Sequence, residues 1–287
     1  MENMLPSWIV LDELLTNWLR EDIGRGDRTT DGLAELADVS GKAHWVAKED
    51  GVIAGLPVAA RVFSLLNNEV AFQAEVAEGD RIQTGTIIAD ISCQLSTLLT
   101  GERVALNIAM SLSGIATMTR QYAEVIADLP TQLVDTRKTT PGMRLLEKYA
   151  ASVGGSQNHR LGLDDGVMIK DNHIAVAGGI GKAIKYIRGR IPYPITIEVE
   201  TESLEQVNEA IAHQADIIML DNMALNTMRD AVKAIRAANE HIKIEASGNI
   251  TLETIRAVAE TGVDYVSSSA PITRSPWLDL SMRMKQS

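Results

Sequence analysis

Between Asp135 and Ile174 the chain reads DTRKTTPGMRLLEKYAASVGGSQNHRLGLDDGVMIKDNHI, and Arg137, Lys138, Arg144, His159, Arg160 and Lys170 all fall inside that stretch. Arginine presents a planar fork that matches a carboxylate through two parallel hydrogen bonds, while lysine is a compact point charge suited to phosphate. The set fits a ligand, or a pair of ligands, carrying both groups. Further along, Glu200 and Asp221 add carboxylates that suit Mg2+, sugar hydroxyls or neutralisation of the cations. Ser247-Gly248-Asn249 and Ser267-Ser268-Ser269 offer hydroxyls and backbone N–H groups ahead of helical stretches, as a phosphate requires, or simply form polar turns. Lys170 taken alone has three readings: Schiff-base nucleophile, phosphate clamp or partner of Glu200. An aldolase needs one activated lysine and has no use for the accompanying arginines.

The cations must act locally, because the whole chain is acidic. Its 287 residues carry a formal charge of -11, which argues against a nucleic-acid partner held by overall electrostatics. The single cysteine, Cys93, excludes an intrachain disulfide or a multi-cysteine metal site and points to a reduced compartment. The N-terminus lacks a basic signal-peptide region, and no apolar run approaches about 18 residues. A cytoplasmic protein without a membrane partner is the expectation. There is no dinucleotide fingerprint and no GxxxxGK[ST] loop, which counts against nicotinamide redox chemistry and P-loop phosphoryl transfer.

The elements that would position these residues follow from periodicity. An amphipathic helix is predicted from Ser7, as N-cap, to about Asp22, with Ile9, Leu11, Leu14, Leu15, Trp18 and Leu19 as its apolar stripe. EDIGRGDRTT (21–30) reads as a polar loop. KAHWVAK, VAFQAEV and TIIADISC read as short strands, with a helix over 57–66 between the first two. The run VAEGDRIQTGTIIADI (76–91) is patterned like a biotinyl or lipoyl carrier hairpin. Carriers need a lysine at the tip, and none occurs between Lys48 and Lys138, so a structural hammerhead-like hairpin is the better reading. Two helices, about 95–110 and 115–127, are predicted to break near Ser113-Gly114.

After them, QLVDT, GVMIK, ITIEVE, DIIMLD, IKIEAS and VDYVSS alternate with helical stretches. That rhythm implies a parallel sheet, and units of nearly equal length favour a barrel. Each strand ends in a residue able to do chemistry, and barrel enzymes build their sites at C-terminal strand ends. The expected fold is α/β: an N-terminal α/β sandwich over 1–112, then an incomplete (β/α) barrel of about six parallel strands over 113–275. A C-terminal strand within 276–287 could rejoin the first domain.

EDIGRGDRTT, GERVALNIAMSLSGIAT, DTRKTTPGMR, EKYAASVGGSQNHRLGLDDGVMIKDNHI, IEVE, IIMLDNM and EASGNI occur in this order across about residues 21–250. In these motifs the chain resembles the quinolinate phosphoribosyltransferase family. The resemblance implies transfer of a phosphoribosyl group from phosphoribosyl pyrophosphate to quinolinate, with decarboxylation to nicotinate mononucleotide. Matched by motif, it assigns Thr136, Arg137, Lys138, His159 and Arg160 to quinolinate. Arg103 would join them from the neighbouring subunit of a homodimer, whether or not dimers assemble into a hexamer. Lys170, Glu200 and Asp221 fall to phosphoribosyl pyrophosphate, the two acids with Mg2+, and Lys138 joins these three as the catalytic set. Ser247, Gly248, Asn249, Ser268 and Ser269 would hold phosphate. Ser269 stands where the family usually has a glycine. No organic cofactor is implied, since a ribosylated pyridinium is its own electron sink. The rival readings are a relative with another acceptor, such as nicotinate, and a non-catalytic anion sensor. Three arginines favour a diacid over nicotinate, and carboxylates beside the ligand would not help a sensor.

Overall fold

The computed structural model describes residues 5–33 and 39–285, and the last two positions assigned to the C-terminal strand lie outside them. The chain forms two compact units, one from Met1–Arg120, Thr140–Gly155 and Arg274–Ser287, the other from Gln121–Thr139 and Ser156–Thr273. Helix Arg144–Gly154 thus belongs with the first unit, although in sequence it falls between two strands of the second.

The first unit is built on an antiparallel sheet. Its strands are β1 (Ser40–Ala47), β3 (Ala71–Ala74), β5 (Ile87–Gln94) and β12 (Leu280–Met284), in the order β12-β1-β5-β3. Helices α1 (Trp8–Ile23), α2 (Arg28–Asp31), α3 (Leu56–Leu66), α4 (Leu95–Val125) and α5 (Arg144–Gly154) complete it; α4 runs on into the second unit. Trp45 and Phe63 are fully buried. The Trp45 ring meets Phe63 edge-on at 6.3 Å and Phe72 at 5.7 Å, an arrangement favoured by aromatic quadrupoles. Val58, Ala59, Val62 and Phe63 give α3 the i, i+4 stripe that seats it.

Three local expectations need correction. Ser7 is the N-cap of α1 as expected, without a side-chain cap bond, but Ile9 is exposed while Leu11, Leu15 and Leu19 are buried. The break at Ser113-Gly114 does not occur. Inside the continuous α4, Ser113 Oγ accepts from Ala54 N–H at 2.9 Å, and a Cβ on Gly114 would collide with the Pro276 carbonyl. Polarity and a missing side chain there serve packing, which propensity cannot distinguish from a break. The 76–91 hairpin is also different: β4 (Arg81–Ile82) pairs with β2 (Gly51–Val52), while β5 pairs with β1 and β3.

The second unit is a parallel sheet of six strands: β6 (Gln132–Val134), β7 (Val167–Ile169), β8 (Ile197–Thr201), β9 (Ile217–Asp221), β10 (Lys243–Ser247) and β11 (Tyr265–Ser267). Their order is β6-β11-β10-β9-β8-β7, with β6 and β7 as unjoined edges, so the barrel is incomplete. Helices α6 (Asp171–Ala177) and α7 (Ile180–Arg188) both follow β7, and α8 (Leu204–Ala212), α9 (Leu225–Ala238), α10 (Ile255–Ala259) and α11 (Ala270–Thr273) follow β8 to β11 in turn. Val199, Ile218, Leu220, Ile244, Ala246 and Val266 are fully buried on one sheet face. Val207, Ala231, Ile235 and Ile255 supply buried helix stripes. Alternation sends the other residues of each strand to the opposite face, and the charged ones are there.

Candidate active site

Register fixes that polar face. Glu198 pairs with Ile217 and Glu200 with Met219, while Glu245 pairs with Met219 and Ser247 with Asp221. Glu198, Glu200, Asp221, Glu245 and Ser247 therefore share one side of the sheet, the acids on the middle strands. Val134, Glu198, Ile217, Lys243, Glu245 and Tyr265 are among the walls of a cavity of about 300 Å³ on this side, together with His159 and Arg160.

At the strand tips, Lys170 Nζ donates to Glu200 Oε2 at 2.6 Å. Lys170 also ends β7 at the start of α6, where its backbone N–H is accepted by His173 Nδ1 at 3.0 Å. The Asp221 carboxylate accepts from Asn222 Nδ2 at 2.7 Å, and Asn222 N–H donates to the Ser247 carbonyl at 2.9 Å. Asn249 Nδ2 reaches Asn222 Oδ1 at 3.2 Å. Asn222 and Asn249 both have positive φ, at 52° and 49°, and Gly248 between the tips has φ 103°. A Cβ on Gly248 would stand 2.9 Å from Asn222 N, so only glycine lets these two loops close. Asp221, Ser247, Gly248 and Asn249 are thus one joined structure.

Arg137 and Arg160 form the cationic part. Arg160 Nη1 donates to the Gly166 carbonyl at 2.7 Å. The Nε atoms of both Arg137 and Arg160 are buried without a hydrogen-bond partner. Burial, and then the like charge of Arg137, hold the Arg160 pKa below its ordinary value, with Glu198 opposing. Two cations kept side by side with unmet donors are what an anion site needs. Lys138 is exposed beside them, and its N–H is held by Thr136 Oγ1 at 3.0 Å.

His159 is placed differently from a simple ligand contact. Its Nε2 lies 3.1 Å from Glu198 Oε2 and 3.5 Å from Glu245 Oε2, and its Nδ1 accepts Arg160 N–H at 2.7 Å. Burial opposes charge on this ring and the two carboxylates push its pKa up, while the Arg160 N–H at Nδ1 works against them, because an imidazolium would set its second proton against that donor. Burial raises the pKa of Glu198, which His159 partly offsets. A second ring proton could sit only on Nδ1, which already faces an N–H. The contact at Nδ1 therefore favours a neutral ring protonated at Nε2.

Ser268 N–H donates to the Val134 carbonyl at 3.1 Å and its Oγ to the Ile250 carbonyl at 3.3 Å, so both are engaged within the fold. The Ser269 carbonyl starts α11 by accepting from Ile272 and Thr273. Arg103 is exposed on α4 in the other unit.

The sequence reading passed over Asp135, Asn158, Glu198 and Glu245. Asp135, nearly buried at the end of β6, accepts from Asn158 Nδ2 at 2.7 Å and His159 N–H at 2.8 Å. Glu198 and Glu245 each sit two residues before a chosen residue on the same strand, so period-two alternation placed them on the site face. Among the described residues, His159, Glu198 and Glu245 could together hold a metal ion. A metal on Nε2 would drive the ring proton to Nδ1, against Arg160 N–H, so this trio does not suit one. Glu200 and Asp221, hard oxygen donors at adjacent tips, suit Mg2+ better.

The family described as quinolinate phosphoribosyl transferase, C-terminal domain, matches residues 115–283, and its N-terminal domain matches residues 27–113. A Synechocystis sp. protein named a probable carboxylating nicotinate-nucleotide pyrophosphorylase is 62% identical over 280 residues, covering 98% of this chain and 94% of its own. A Bacillus subtilis protein of the same name is 45% identical, covering 95% and 92%. The solved structure of NadC from Streptococcus pyogenes superposes with a TM-score of 0.92 at 43% identity, covering 98% of each chain. With both domains matched and a relative aligned over nearly its whole length, the chain belongs to the quinolinate phosphoribosyltransferase family.

Proposed function

We propose that the protein transfers the phosphoribosyl group of phosphoribosyl pyrophosphate to the ring nitrogen of quinolinate, releasing pyrophosphate, and then removes the adjacent carboxylate as CO2 to leave nicotinate mononucleotide. The observation that supports it most is the pair Arg137 and Arg160, adjacent cations whose buried Nε donors lack partners. A ring with two neighbouring carboxylates would meet both forks, with Lys138 completing the charge.

Held in that way, the ring nitrogen is aimed at the sugar carbon, and the arginines contribute through positioning. As the bond to pyrophosphate breaks, positive charge develops on the ribose, and Glu200 and Asp221 stabilise it electrostatically. Lys170, bonded to Glu200, offers its charge to the diphosphate. Ser247, Gly248 and Asn249 take the 5′-phosphate, with Ser268 and Ser269 at the margin of that loop. Mg2+ held with substrate by Glu200 and Asp221 would neutralise the departing pyrophosphate. After transfer, the pyridinium nitrogen accepts the electron pair of the breaking C–CO2 bond, and a proton then replaces CO2 on the ring carbon. Arg103 would complete the acceptor site from a second copy, making the working unit a homodimer in the cytoplasm. No described helix is long and apolar enough to cross a membrane.

The test is formation of nicotinate mononucleotide from quinolinate and phosphoribosyl pyrophosphate, with and without Mg2+. Product is expected only with quinolinate and Mg2+ present. Equal turnover of nicotinate would defeat the acceptor assignment.

A further inference from the structure

Glu198 and Glu245, which meet His159 beside the arginines, have no part in the proposed reaction. Glu198 and Glu245 stand on β8 and β10, each 3% exposed, and each keeps its Oε1 without a hydrogen-bond partner. Burying two carboxylates is unfavourable unless their charge is used. Both direct their Oε2 to one atom, His159 Nε2. The groups that face them are that imidazole, Arg160 and, on the cavity wall, Lys243 and Tyr265.

We propose that Glu198 and Glu245 are positioning residues of the acceptor site: they hold the His159 ring with its one proton on Nε2 and so keep Nδ1 as the anchor for the Arg160 backbone. The inference rests on the proposed reaction for its kinetic consequences but not for its geometry. Two acceptors at Nε2 fix where the proton sits, because a bare nitrogen there would face two carboxylates without a hydrogen between them. Nδ1 is then the acceptor that receives Arg160 N–H at 2.7 Å. From the other side Asp135 holds His159 N–H and the Asn158 side chain. The segment that carries the Arg160 guanidinium is therefore held at three consecutive residues before any ligand arrives. Preorganisation of this kind lowers the ordering that binding would otherwise require. Glu198 also opposes the repulsion between Arg137 and Arg160.

Two measurements on the full-length protein test this. With ¹⁵N-labelled histidine, His159 should resonate as the neutral Nε2–H tautomer at neutral pH; an Nδ1–H tautomer or an imidazolium there would overturn the proposal. In kinetics, Glu198→Ala and Glu245→Ala should each raise KM for quinolinate about ten-fold or more, with KM for phosphoribosyl pyrophosphate within about two-fold of the parent. Glutamine at either position still presents an acceptor oxygen and should recover most of the loss. If both KM values rise together and glutamine restores nothing, the acids only support the fold and the proposal fails. A wild-type protein that makes no nicotinate mononucleotide would instead defeat the proposed reaction, while the tautomer measurement still decides the geometry.

Discussion

At the scale of single residues, the site is defined by unmet donors. An arginine surrounded by protein normally finds acceptors for its fork, yet Arg137 and Arg160 each bury an Nε that has none. Removing either side chain should weaken quinolinate far more than it weakens the fold. Arg137→Ala and Arg160→Ala are each expected to raise KM for quinolinate about 100-fold, as loss of a charge-assisted pair implies, with circular dichroism unchanged. Unaltered turnover at low quinolinate would take that arginine out of the acceptor site. Glu200→Gln addresses the other half of the reaction. It should lower kcat by about two orders of magnitude while sparing quinolinate binding, because in the proposed reaction its charge acts on the ribose as pyrophosphate leaves.

At the scale of elements, two small features hold loops in place. Asp27 caps α2, accepting from the backbones of Thr29 and Thr30 and from the hydroxyls of Thr30 and Thr100. The Thr30 hydroxyl, with the other donors, holds the Asp27 pKa below its ordinary value. A depressed carboxylate stabilises the fold above its unfolded pKa and loses that contribution as pH falls through the folded one. Asp27→Ala should therefore cost about 1 kcal/mol at neutral pH, and the gap from wild type should close below about pH 4. Melting both proteins across that range is the check, and a constant gap would refute it. Gly248→Ala acts on the joined tips of β9 and β10. A Cβ there strains a left-handed backbone and presses on Asn222, so affinity for phosphoribosyl pyrophosphate should fall about ten-fold or more. Isothermal titration with that substrate would show it, and wild-type affinity would remove this loop from the phosphate site.

At the scale of the whole molecule, the first unit is completed by the end of the chain. β12 pairs with β1 from Ala47 and Leu280 to Ala43 and Met284, and Leu278 and Leu280 are buried. Truncation after Ser275 would expose two leucines worth about 3–6 kcal/mol together and leave β1 as an open edge. That is comparable to the stability of a typical domain, so the truncated chain should unfold or aggregate, as thermal melts and light scattering would report. Assembly is testable by complementation. If Arg103 serves a neighbour's site, inactive Arg103→Ala and Arg137→Ala proteins should recover part of wild-type activity when mixed and refolded together. No recovery would leave Arg103 in its own subunit.

The sequence by itself determined the strand–helix alternation of the second unit, the parallel sheet and the polar residues at its strand ends, because period-two and period-3.6 patterns are local. It also carried the family, through motifs whose order survives in the linear chain. Tertiary structure alone decided the continuity of α4, where Gly114 makes room for a carbonyl 162 positions later in the chain's register of Pro276. It alone decided that His159 turns toward Glu198 and Glu245, since a histidine's partners are set by strands that meet only when the sheet forms. The joining of β12 to β1 has the same cause: pairing between distant strands depends on which edge is open, and an open edge is a property of the assembled sheet.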